Sequence, residues 1–169
     1  MFISIHKCRP KDHPFPILAW LIMIMQGMKP WDEKAYSHMA FSYESATGRT
    51  KFGDSTSHGV RDMISDIFLK RYEVVETIHI NADCTLTGFL DWFETIEGAF
   101  YDKLQIFGLL ARSLSIISFN ELGYNLKRLT CNEVVLYILI RFKGLKVKDS
   151  DDWDLNRTWS KACEYKIGE

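Results

Sequence analysis

The segment Thr130-Cys131-Asn132-Glu133 places a threonine three residues ahead of a glutamate, the spacing of a capping box in which each side chain meets the other's backbone N–H. Thr130 is then the N-cap of a helix, and Cys131 sits in its first turn. Unpaired N–H groups and the positive helix end favour a thiolate there, against a thiol pKa of about 8.5 in a free cysteine, and the thiolate is the nucleophilic form. Glu133 opposes this slightly. A thiolate nucleophile needs a base within reach. The segment YSHMAFSY offers one, because strand periodicity puts Met39, Phe41 and Tyr43 on one face and His38 with Ala40 and Ser42 on the other. If strand and helix end pack together, His38 takes the thiol proton, Cys131 attacks a carbonyl, and an acyl-enzyme forms. Each residue also has an ordinary reading: Cys131 as a small apolar side chain in a packed helix, and His38 as a half-buried histidine.

The elements that must hold such a pair read as α+β. After Pro16 an apolar run predicts a short helix ending near Gly27, followed by the strand that carries His38. RTKFGD and SHGV predict two short strands around a turn, YEVVETIHI predicts another, and together they suggest one antiparallel sheet. Leu86, Phe89, Leu90, Phe93 and Ile96 recur at helical spacing, with Gly98 as the expected C-terminal cap. A further helix is expected over part of KLQIFGLLARSL, with a loop through Gly123. From Thr130 a buried helix aligns Val134, Val135, Ile138, Leu139 and Phe142 with Cys131; Arg141 and Lys143 lie in its last turn and Gly144 ends it. A last short helix is expected near Leu155 to Cys163.

The 169 residues, 47% hydrophobic and 25% charged, suit one compact domain spanning 1–169. Lysine plus arginine (21) balance aspartate plus glutamate (22), so no overall field draws the chain to nucleic acid or an anionic membrane. Cys8, Cys84, Cys131 and Cys163 form no CxxC pair, which excludes a zinc ribbon and a thioredoxin-like motif and suits a reducing compartment. The run Ile17 to Met25 falls short of the roughly 20 residues of a membrane-spanning helix. No small-residue cleavage site follows it, so a cytoplasmic location is expected. His6, Cys8 and His13, read as part of a flexible terminus with irregular spacing, are not expected to bind a metal. No cofactor is expected.

Four segments in order carry a resemblance to a known family. YSHMAF at 36–41 resembles the histidine strand of circularly permuted NlpC/P60 proteins, and FGDSTSHGV at 52–60 their next element, an acidic residue followed by a turn and a Gly-Val strand. YDKLQIFG at 101–108 is similar to the Tyr-Asp segment ahead of the nucleophile, and TCNEVV to the cysteine helix. The pattern is closest to the YiiX/YaeF-like permuted papain-like amidases, with lecithin:retinol acyltransferase-like enzymes more distant, and it covers roughly residues 17–163. The resemblance implies a circularly permuted papain-like α+β fold, an antiparallel sheet packed against helices with the nucleophile at a helix N-terminus. Histidine then precedes cysteine in the chain.

What the resemblance implies for chemistry is a cysteine hydrolase of the amidase or peptidase type, or a related acyl-transfer enzyme. Cys131 is its nucleophile, His38 its base, and Asp54 the polar group that orients the histidine. Relatives usually carry glutamate where Asp54 stands, a longer reach, and Glu44 and His58 are the alternatives for this role. Tyr101 would lend its hydroxyl near the oxyanion or line the cleft. Lipid acyl transfer is disfavoured, because the Asn-Cys-Glu setting and hydrophobic anchor of such relatives are not found. The substrate, an amide, ester or thioester, stays open. A papain-like scaffold kept as a binding or assembly module is the alternative, since fold does not dictate function; the presence of both Cys131 and His38 favours the enzyme.

Overall fold

A computed structural model describes residues 1–11, 16–56, 58–100, 129–147 and 154–168. Within them the chain runs β1 (Phe2–Pro10), α1 (Pro16–Met25), β2 (His38–Glu44), β3 (Thr50–Thr56), β4 (Gly59–Ile64), α2 (Ser65–Arg71), β5 (Tyr72–Asn81), α3 (Leu86–Glu94), α4 (Cys131–Lys143) and α5 (Leu155–Cys163). The architecture is α+β, an open five-stranded antiparallel sheet in the order β4-β3-β2-β1-β5 with helices packed on it. Among the described residues no helix is long and apolar enough to cross a membrane. The helix expected within KLQIFGLLARSL and the loop through Gly123 lie outside the described residues.

The first ten residues are not a flexible terminus. They form β1, paired with β2 on one side and β5 on the other. Its alternation is plain once seen: Ile3 and Ile5 are buried on one face, while Ser4, His6 and Cys8 take the other. Polar residues on a strand face look like a loop in sequence unless their hydrogen-bond partners, here on neighbouring strands, are known. The helix α2 was likewise not expected. It is one short amphipathic segment that joins β4 to β5 and buries only Phe68.

The sheet separates two apolar layers. Ile3, Ile5, Met39, Phe41, Ile78 and Ile80 pack with Phe89 and Phe93 of α3 and with Val134, Val135, Ile138 and Leu139 of α4. On the opposite face Cys8, Ala40, Phe52, Phe68 and Tyr72 form a smaller cluster. Phe41 lies over Gly53, its partner on β3, so closely that any Cβ at that position would overlap the ring. A glycine in a strand interior often marks such a close approach.

Helix ends follow the sequence signals with one exception. Gly144 caps α4 in the left-handed conformation, φ 66°, and its N–H donates to Leu139 O. Asp154 caps α5 by accepting from Arg157 N at 2.7 Å. α3, by contrast, ends at Thr95 rather than at Gly98. Gly98 serves the sheet instead, its N–H donating to Val60 O at 2.8 Å in a turn that runs along β4.

The β2–β3 ladder is short. Its last rung is Phe41↔Gly53, although β2 continues its pairing with β1 as far as His38 and β3 its pairing with β4 as far as Thr56. Past that rung, the backbones of the start of β2 and the end of β3 pair with their outer neighbours and not with each other. The approach to α4 is anchored here, where Ser55 Oγ donates to Leu129 O at 2.5 Å.

Candidate active site

Cys131 is the first residue of α4, His38 the first of β2, and Asp54 lies near the end of β3. Helix and strand starts are therefore brought to the unpaired end of the β2–β3 ladder. Glu133 secures the helix end by accepting from Thr130 N at 2.7 Å, and the Thr130 hydroxyl lies 2.8 Å from both Glu133 Oε2 and Asn132 Oδ1. The carboxylate is thereby used where it stands, in a buried position, and the first turn of α4 is pinned.

His38 Nε2 lies 3.1 Å from Asp54 Oδ2. Both side chains are buried, and Cys131 is an electrostatic neighbour of the same ring. Burial pushes the imidazole toward its neutral form. Tyr72, Cys131 and the hydrogen bond with Asp54 outweigh it and hold the His38 pKa well above the ordinary 6.5. The second oxygen, Asp54 Oδ1, is fully buried without a hydrogen-bond partner among the described residues. Cys131, His38 and Asp54 are 5%, 7% and 1% exposed, so all three are buried.

The alternatives for the orienting role stand elsewhere. Glu44 is exposed at the far end of β2 from His38, opposite Thr50. His58 is exposed in the β3–β4 turn, where its backbone N–H donates to Thr56 Oγ1. Tyr101 lies outside the described residues, as does His13. His6 is engaged within the sheet, Nε2 at 2.8 Å from Ser42 Oγ and Nδ1 at 2.9 Å from Thr77 Oγ1. All four cysteines are unpaired thiols.

Two residues at the site were not read from the sequence. Tyr72 stacks on His38 with ring centroids 4.7 Å apart and planes within 13°. Cys8 is the cross-strand partner of His38 on β1. Burial pushes its thiol up to about 12, with His38, Asp54 and Cys131 as electrostatic neighbours, so it stays protonated at neutral pH. Tyr72 opens β5 and Cys8 lies on β1, so only the strand order could have placed them here. Comparison with known proteins adds no relative: no family model, no curated protein and no solved structure matches the chain.

Proposed function

We propose that the chain is a cysteine-dependent acyl hydrolase or transferase of the amidase or peptidase type, built on a circularly permuted papain-like fold. The observation that carries the reading is His38 between the thiol of Cys131 at a helix N-terminus and the carboxylate of Asp54. With Nε2 taken by Asp54, Nδ1 is the ring nitrogen left for the thiol. His38 removes the Cys131 proton and the thiolate adds to the carbonyl carbon of an amide, ester or thioester. N–H groups at the start of α4 stabilise the oxyanion. Collapse expels the leaving group, protonated by His38, and leaves a thioester on Cys131. Water or another acceptor, deprotonated by His38, then releases the acid or transferred acyl product and restores the thiol. Support for the permuted arrangement comes from the order of the elements, histidine strand, acid strand, cysteine helix.

The near-complete burial of Cys131 favours a second reading, a papain-like scaffold retained for binding or assembly, in which the pair is a relic. Labelling decides between them. A broad thiol-reactive acyl probe, with the modified residue mapped by mass spectrometry, is expected to mark Cys131 in the folded protein and no residue at that site in Cys131→Ser. Cys131→Ser should melt within a few degrees of the wild type, since the capping box is untouched. Labelling that is unchanged in Cys131→Ser, accompanied by a clearly lowered melting temperature, makes Cys131 a packing residue and overturns the enzymatic reading.

A further inference from the structure

We propose that Tyr72 is a positioning residue for His38, its ring setting the plane in which the imidazole meets Asp54 on one side and Cys131 on the other. The inference rests on the nucleophile–base reading of Cys131 and His38. A hydrogen bond from Nε2 to Asp54 fixes one point of the ring and leaves it free to rotate about that contact. A second constraint is needed to keep the other nitrogen on the sulfur, because near-attack geometry tolerates little misplacement. The face of Tyr72, 4.7 Å away and nearly parallel, supplies that constraint.

Tyr72 is itself held. Phe68 stacks on it at 4.9 Å, and Phe52 stacks on Phe68 at 4.4 Å, so four rings form a column from β3 through α2 and β5 to β2. The backbone of Tyr72 is fixed at the first rung of β5, opposite Pro10. Phe68 is fully buried and Phe52 nearly so. The column therefore transmits the rigidity of the sheet to a side chain at its open end. Tyr72 is also an electrostatic neighbour that raises the His38 pKa. Among the described residues, the other titratable groups facing His38 are Asp54 from β3, Cys131 from α4 and Cys8 from β1.

Tyr72→Phe keeps the face and removes the hydroxyl, whereas Tyr72→Leu removes the face. Each variant is read by two measurements on the full chain, the NMR titration of the His38 ring protons and the rate of acyl-probe labelling at Cys131. In Tyr72→Leu the His38 midpoint is expected to fall, because Tyr72 is among the groups that raise it. Its labelling rate is expected to fall by about tenfold or more through loss of orientation. Tyr72→Phe is expected to keep the labelling rate within about twofold of the wild type, the ring face being retained, while its His38 midpoint moves down with loss of the hydroxyl. If Tyr72→Leu does not fold, Tyr72→Met, which fills the space without a flat face, is measured in its place.

A leucine or methionine variant with unchanged titration and labelling overturns the positioning role. So does a Tyr72→Phe variant whose labelling slows as much as that of the leucine variant, which would assign the effect to the hydroxyl. A wild-type protein that takes no label at Cys131 overturns the enzymatic reading instead, and the His38 titration then decides the role of Tyr72 separately.

Discussion

At the scale of single residues, the site depends on one contact more than on any other, the 3.1 Å approach of His38 Nε2 to Asp54 Oδ2. Asp54 is shorter than the glutamate usual in the proteins the chain resembles, yet β3 brings it within reach of His38. The contact favours the charged form of the ring. Asp54→Asn keeps the size and removes the charge, so the His38 titration midpoint should move down toward 6.5. Acyl labelling of Cys131 should slow by about a hundredfold or more, as when the orienting carboxylate of a triad is made an amide. Labelling at the wild-type rate would show that Asp54 is a structural partner only. The sign for stability follows from the same raised pKa. His38 stabilises the folded chain fully below its unfolded value of 6.5, and the contribution is lost as pH rises through the folded value.

Among the elements, β2 and β3 matter because they are joined over half their length and open over the rest. The joined half carries Phe41 over Gly53, and the open half carries His38 and Asp54. Overlap at Gly53 leaves no room for a methyl group, since Phe41 is fully buried and meets Phe89 and Phe93 edge-on at 5.7 Å. Gly53→Ala is expected to destabilise the fold by about 1–3 kcal/mol, the usual range for overpacking a filled core. Chemical denaturation checks this, and a variant as stable as the wild type would mean that the ring has somewhere to go. A smaller residue at Phe41 should recover part of the loss in the double variant, because the two positions are in contact.

For the whole molecule, β1 is the strand that makes the sheet one body. It lies between β2 and β5, and His6 joins all three strands through Ser42 and Thr77. Burial, with a smaller push from His79, lowers the His6 pKa to about 4. Between that value and 6.5 the unfolded chain binds a proton that the folded chain does not, so stability falls as pH falls through this window. The loss attributable to His6 is roughly 3 kcal/mol at most. It should appear as the difference between the acid unfolding profiles of the wild type and His6→Asn. Parallel profiles between pH 6.5 and 4 would show that His6 is not held neutral.

Read along the chain, periodicity and capping were enough to determine β2, β5, α4, α5 and the α+β class, because these depend on neighbours within a few residues. The Thr130–Glu133 pair set Cys131 at a helix start for the same local reason. Other features were beyond that reach. β1 was mistaken for a flexible end because the partners of His6, Ser42 and Thr77, lie 36 and 71 residues away. The α3 cap moved to Thr95 because Gly98 was claimed by a hydrogen bond to Val60 on β4. Only the strand order β4-β3-β2-β1-β5 decided that Cys8 and Tyr72 face His38, while Glu44 and His58 do not. Local pattern sets which face of an element a residue occupies, and the packing of distant elements sets what that face meets.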